Sequence, residues 1–323
     1  MKIFAFFLFT ALVLSFPCIS QELPDTPVYA LSSETGKPGE TVLAVYFAPV
    51  PPESFSLHLI NNKEQVVAES RGFLYEFTGS YAAAVGYIGL PSTLKPGNYS
   101  IQMEAATMEG SVQERRLFTV TERKFISEEI PLNMEMSDLR TSDDPRRYEE
   151  AQQLLELLYT FNPGSAFHTG RFALPVAECP ESSHYGDRRE FIYIDNETSN
   201  AIHNGIDFAA VTGTEVHACG RGKTVLVQDR FITGNTVVLE HFPGIYSLYF
   251  HLNSIDVEPG SIVEEGEVIG KVGKTGLATG SHLHWEVRVS GVPVDPYFFI
   301  DSGVLDKDEI LDMISEESIQ EGG

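Results

Sequence analysis

Basic side chains are scarce in this chain. Lysine and arginine total 22 against 46 aspartates and glutamates, a formal net charge of −24 over 323 residues. Phosphate backbones are bound by clustered Lys and Arg, so this balance excludes a nucleic-acid partner. It also gives no long-range attraction to an anionic polymer, and whatever the protein binds must be held by a local site. Cysteine is scarcer still, with three in all and none in a Cys-x-x-Cys pair, so no cysteine-ligated metal is indicated. Long apolar runs are missing except at the start. There Lys2 precedes an apolar stretch from Ile3 to Phe16 that ends in Pro17, too short to span a membrane comfortably. It reads as a secretory signal peptide over residues 1–20, with the small-residue segment Cys18-Ile19-Ser20 just before Gln21. A lipoprotein anchored through Cys18 is the lesser alternative, because Phe16 and Pro17 are poor residues before a lipidated cysteine. The mature chain, with no transmembrane segment, is therefore expected to be exported to the periplasm, cell envelope or exterior. In that compartment thiols can stay paired, and Cys179 and Cys219 either form one disulfide or remain two buried thiols.

What is present is mainly β. From Pro27 to Thr121, runs such as Thr41 to Phe47, Ser56 to Ile60, Tyr81 to Tyr87, Tyr99 to Met103 and Arg116 to Val120 read as strands. Lys37-Pro38-Gly39, Asn61-Asn62 and Lys95-Pro96-Gly97-Asn98 supply the turns between them. The expectation is an antiparallel, immunoglobulin-like β-sandwich over residues 21–125, with Tyr99 at the corner before a late strand. A helical linker over 126–165 follows. Ser142-Asp143-Asp144-Pro145 caps a helix whose Tyr148, Ala151, Leu154, Leu155 and Leu158 fall on one stripe until Asn162-Pro163-Gly164 stops it. Residues 166–300 are again β-rich, with a hairpin-like element over Val257–Gly270 that carries two turn glycines. Residues 301–323 carry eight acids against one lysine and read as a solvated acidic tail, although Ile310, Leu311 and Ile314 could form a helical stripe.

Chemistry concentrates between residues 166 and 300. In Ser281-His282-Leu283-His284-Trp285-Glu286-Val287-Arg288, strand alternation puts His282, His284 and Glu286 on one face and Leu283, Trp285 and Val287 on the other. His203 and Asp207 stand four apart around Gly205, in a loop entering a strand. Two imidazoles and one carboxylate from His203, Asp207 and His284 would leave a fourth tetrahedral position open, as in a catalytic zinc site rather than a closed structural one. A zinc hydrolase also needs groups that receive and deliver protons. His251, in Tyr249-Phe250-His251-Leu252, and His282 are available for that work. The bland alternative for any one of these residues is a satisfied structural side chain, and His58, His168, His184, His217 and His241 are read that way. The Val-x-x-Gly pattern between Val257 and Gly270, with Lys274 beyond it, suggests a biotinyl or lipoyl carrier, but a carrier has no use for five convergent metal-type side chains. Gly273-Lys274-Thr275 fails as a phosphate loop because Val268 stands where that motif needs glycine.

The order His203-x-x-x-Asp207, Tyr249-Phe250-His251-Leu252, Gly280-Ser281-His282-Leu283-His284 and Val294-Asp295-Pro296 resembles the lysostaphin-type zinc metallopeptidases that cut peptidoglycan cross-links, over about Ser182 to Pro296. The resemblance implies one Zn2+ per chain held by His203, Asp207 and His284. His251 and His282 would then be proton-handling and transition-state-stabilising groups, and the substrate would be a stem or cross-bridge peptide of peptidoglycan. Tyr185-Gly186-Asp187-Arg188 resembles the family's segment of aromatic, Gly, any residue, Arg, taken as architectural first and groove-lining second. Members lacking metal ligands act as non-catalytic wall binders or activators, which is the alternative reading; here every ligand position is filled. The sandwich is open to three roles, as spacer, wall-binding module or cover over the groove.

Overall fold

The computed structural model describes residues 24, 26–78, 81–108 and 110–321. The signal-peptide reading of residues 1–20, with Cys18, lies outside the described residues. The protein is mainly β and mainly antiparallel. Its first eight strands are β1 (Val28–Leu31), β2 (Thr35–Gly36), β3 (Thr41–Phe47), β4 (Ser54–Ile60), β5 (Val66–Thr78), β6 (Tyr81–Gly89), β7 (Gly97–Thr107) and β8 (Gly110–Val120). They run in the order β1-β3-β6-β5-β4-β7-β8-β2. The first half of β5 pairs with β4 and the second half with β6, so one long strand turns the corner between two sheets. Tyr99 lies inside β7 rather than before it, and its hydroxyl donates back to the Lys95 carbonyl at 3.0 Å.

Alternation along β3 explains how this unit is mounted. Val42, Ala44 and Tyr46 face the sandwich interior with Leu57, Leu59, Ile101 and Met103. Leu43, Val45 and Phe47 face the other way and join Phe73, Val85 and Tyr87 in a core shared with Phe242, Trp285 and Phe299. A strand buried on both faces reads as the continuous apolar run seen in Thr41-Val42-Leu43-Ala44-Val45-Tyr46-Phe47.

Strand β9 (Ser127–Pro131) and helices α1 (Met134–Thr141) and α2 (Arg146–Leu158) follow. The linker is thus not purely helical, since β9 adds in parallel to a later strand. In α2 the expected stripe is only half right. Leu158 is buried and Leu154 and Leu157 pack beside it, but Tyr148 and Leu155 are exposed. The buried face runs through Glu150, whose carboxylate accepts from the Phe231 backbone N–H at 2.7 Å and from Arg146 at 3.0 Å. A hydrogen-bonded carboxylate took a place that the apolar pattern could not reveal.

The C-terminal part contains β10 (Glu181–Ser183), β11 (Arg188–Ile192), β12 (Thr198–Ile202), β13 (Ile206–Ala209), β14 (Glu215–His217), β15 (Gly222–Arg230), β16 (Gly234–Phe242), β17 (Ile245–Leu252), β18 (Ser254–Ile255), β19 (Ile262–Val263), β20 (Val268–Lys271), β21 (His282–Val289) and β22 (Val292–Val294). The large sheet is ordered β10-β13-β21-β17-β16-β15-β19, with β22 on β21; two small sheets are β12-β11-β9 and β14-β20-β18. The hairpin expected over Val257–Gly270 does not form. β19 pairs with β15 while β20 pairs with β14 and β18, so its two glycine turns redirect the chain between sheets. Helices α3 (Pro296–Ser302) and α4 (Lys307–Glu321) end the described chain. The acidic tail reading is corrected here: Ile310, Met313 and Ile314 are buried in the shared core, and α4 packs on β1 and β3. Its acids take the solvent side of an amphipathic helix. Cys179 and Cys219 are both free thiols.

Candidate metal centre

β13 and β21 are adjacent antiparallel strands in which Asp207 is paired directly with His284. That register brings the two side chains to one face. Leu283, Trp285 and Val287 fill the core on the other face, as alternation requires. His203 reaches the same point from the turn between β12 and β13. Gly205 lets that turn pass close over β21, where a Cβ would lie 2.2 Å from the Trp285 carbonyl oxygen; no other residue fits.

The three donor atoms converge tightly. His203 Nε2 lies 3.1 Å from Asp207 Oδ1 and 2.9 Å from His284 Nδ1, and His284 Nδ1 lies 2.7 Å from Asp207 Oδ1. The partners on the far side of each ring fix the tautomers. His203 Nδ1 is 2.8 Å from the His184 carbonyl oxygen, which can only accept, so Nδ1 carries the hydrogen and Nε2 a lone pair. His284 Nε2 is 2.9 Å from Glu286 Oε1. Glu286 is itself held by Arg288 at 2.5 Å, and against burial this ion pair and His284 pull its carboxyl down to about 2. It is therefore an acceptor for His284 Nε2–H, which turns Nδ1 toward His203 and Asp207. Arg189 donates to Asp207 Oδ2 at 2.6 Å and leaves Oδ1 to the two histidines. Burial would raise Asp207, but the hydrogen bonds from His203 and His284 hold it well below the usual carboxylate range. Three buried potential ligand atoms thus face one another, and this donor set fits a metal ion held by two imidazoles and one carboxylate. Without a cation only a shared proton relieves them. Against burial, Asp207 and Glu286 push His284 up to about 9, while burial pushes His203 down.

His251 and His282 stand beside this group, their ring centroids 4.9 Å apart. His251 lies at the end of β17 with a φ of 61°, a left-handed conformation costly for a non-glycine residue. Its backbone N–H donates to the Thr233 carbonyl at 2.9 Å and its Nδ1 to the Thr275 carbonyl at 2.8 Å. Burial, then repulsion from His282 and His284, pushes its ring down to about 3, so it is neutral with a free Nε2. His282 Nδ1 donates to the Gly280 carbonyl at 2.9 Å, and its Nε2 sits 3.7 Å from Asp207 Oδ1. Phe250 stacks flat on His284, centroids 5.1 Å apart and planes 7° from parallel.

All five predicted side chains line one groove of about 480 Å3, and among the described residues none between 27 and 121 does. One wall is instead supplied by β9 and α1, through Glu128, Ile130, Leu132, Met136 and Arg140. Arg188 does not line the groove; its guanidinium donates to the Ser92 and Gly186 carbonyls at 2.6 Å each, tying the sandwich to the sheet. The next residue, Arg189, takes the groove position. Sequence reading passed over Arg189, Glu286, Thr275 and the His184 carbonyl; of these only Glu286 carried a signal, its place on the histidine face of β21.

Residues 201–296 match the family model of peptidase family M23. The chain is 26% identical over 247 residues to the peptidoglycan DD-endopeptidase ShyB of Vibrio cholerae, covering 72% of this chain and 55% of the relative. It is 44% identical over 95 residues to the DD-carboxypeptidase/endopeptidase Mpg of Neisseria meningitidis, covering 29% and 22%. The chain thus spans about half or less of the length of these curated relatives. A solved M23 peptidase structure from Pseudomonas aeruginosa superposes with a TM-score of 0.55 and 28% identity, covering 83% of this chain and 95% of that one. That share is too large for the M23 segment alone. Residues 201–296 of this chain thus form a segment that matches peptidase family M23.

Proposed function

We propose that the protein is an exported zinc endopeptidase that hydrolyses peptide cross-links of bacterial peptidoglycan, with catalysis carried by residues 166–300. The observation that carries this reading is the convergence of His203 Nε2, Asp207 Oδ1 and His284 Nδ1 within 3.1 Å of one another. It lies at a groove that also holds two further neutral-capable imidazoles. Export is supported by the N-terminal apolar run; among the described residues no helix is long and apolar enough to cross a membrane.

Zinc bound by the three residues supplies Lewis acidity, polarising the scissile carbonyl and acidifying the attacking water. The chain's own groups do the rest. His251 and His282 each commit Nδ1–H to a backbone carbonyl, so each presents Nε2 as an acceptor. One takes the proton of the attacking water as its oxygen bonds to the carbonyl carbon. Once protonated, it donates to the developing oxyanion and then delivers the proton to the departing amine as the C–N bond breaks. Arg189 and Glu286 keep Asp207 and His284 in position, and the β9–α1 wall holds the peptide along the groove.

Purified residues 21–323 should release new amino termini from peptidoglycan, lose that activity to a chelator and regain it with zinc. Zinc-bound protein that cleaves no wall preparation would leave the wall-binding alternative standing in its place.

A further inference from the structure

We propose, resting on the peptidase reading above, that Arg140 is a specificity residue that reads a free carboxylate on the substrate peptide. Only two basic side chains line the groove among the described residues, Arg140 and Arg189. Arg189 is spent on Asp207 at 2.6 Å and Glu128 at 3.6 Å. Arg140 has no carboxylate partner among the described residues, in a chain of net charge −24 where acids outnumber bases twofold. Among the described residues of the groove, Arg140 is thus the guanidinium whose charge is not already met by a carboxylate.

Its mounting fits that task. The Arg140 guanidinium carbon sits 3.8 Å from the Phe191 ring centroid. Its Nε donates to the Tyr193 hydroxyl at 3.1 Å and to Ser199 Oγ at 3.4 Å. Both contacts are neutral acceptors, so the plane is fixed without the charge being cancelled, and the two Nη groups remain for a carboxylate in the forked geometry that Arg favours. The wall leading to it is apolar, formed by Ile130, Leu132 and Met136. Ser199 and His203 are four residues apart along β12 and its exit, roughly 13 Å at strand rise. An extended peptide covers that in three to four residues. The carboxylate read by Arg140 therefore lies three to four residues from the scissile bond. That favours a stem peptide bearing free carboxyl groups over a glycyl bridge, which has none within that span.

The test uses zinc-loaded residues 21–323 and two cross-linked stem-peptide dimers, identical except that the free carboxyl groups of one are carboxamides. The carboxylate dimer should show a KM about tenfold lower. Arg140→Gln should abolish that preference, raising KM on the carboxylate dimer to the carboxamide value at full zinc content; Arg140→Lys should retain part of it. A wild-type chain indifferent to the two dimers, or an Arg140→Gln chain that keeps the preference or weakens on both dimers equally, overturns the proposal. If neither dimer is cleaved, the peptidase reading fails separately. Equilibrium binding of the same dimers then decides Arg140: a carboxylate preference lost in Arg140→Gln supports it, and equal or absent binding refutes it. If Arg140→Gln does not fold, the wild-type comparison and Arg140→Lys decide the same question.

Discussion

His282 and His284 are two residues apart on one strand, yet their rings are held by different partners. Glu286 accepts from His284 Nε2 and turns Nδ1 toward His203 and Asp207, whereas Gly280 accepts from His282 Nδ1 and leaves Nε2 at the groove. Different roles follow. His284→Ala should lose bound zinc, measured as metal per chain after desalting. His282→Ala should keep it and lose about 10²- to 10⁴-fold in turnover, the range for a removed proton-transfer group. Loss of zinc in both variants would show the division within the pair to be wrong. At this scale the sequence was most legible where spacing itself encodes geometry. Alternation placed His282, His284 and Glu286 together, and Gly205 permitted the close turn that brings His203 in. It was silent about Arg189, Thr275 and the His184 carbonyl, because their partners come from strands or loops whose pairing local pattern does not specify.

At the scale of elements, strands with strong alternation were readable and segments whose character depends on neighbours were not. β3 is an unbroken apolar run and was placed without ambiguity. β9 was missed because Ser127-Glu128-Glu129-Ile130-Pro131 has little intrinsic strand character and is held by pairing with β11. α4 was read as solvated because charge dominates its composition, yet Ile310 and Ile314 are fully buried. A stripe of two or three apolar residues suffices when a hydrophobic sheet face awaits it. Ile314→Ala should therefore cost about 2–5 kcal/mol by chemical denaturation, and Glu316→Ala, on the exposed side, less than about 0.5 kcal/mol. Equal, small effects would mean that the helix is not docked on β1 and β3.

Among the described residues, one core joins the sandwich to the sheet that carries Asp207 and His284. Phe73 and Tyr87 pack edge-on against Phe242, and Arg123 pairs with Asp295 at 2.5 Å. Composition could suggest two units but not that the outer face of one would become the core of the other. The sandwich shares its outer face with the second core, and Arg188, at the start of β11, donates to the Ser92 carbonyl at 2.6 Å. The same core buries polar groups with consequences for pH. His241, in hydrogen bonds with Ser247 at 2.7 Å and the Arg221 carbonyl at 2.8 Å, is pushed by burial down to about 3. Its folded pKa lies below the unfolded value of about 6.5, so the unfolded chain gains a proton first as pH falls. Stability is whole above pH 6.5 and declines toward pH 3. Between pH 7 and 5 this one group should remove about 2 kcal/mol, and His241→Gln should flatten that part of the profile in denaturation measured at both pH values. An unchanged slope would show that His241 is not buried neutral.

Under the proposed function, peptide hydrolysis requires a metal held by His203, Asp207 and His284. The most direct test of that requirement is to strip the protein of metal, add zinc in steps, and measure amino termini released from peptidoglycan for the wild-type chain and Asp207→Ala side by side. Wild-type activity should rise to a plateau at one zinc per chain while Asp207→Ala stays at background. Activity that ignores zinc, or that returns in Asp207→Ala at the same stoichiometry, would contradict it.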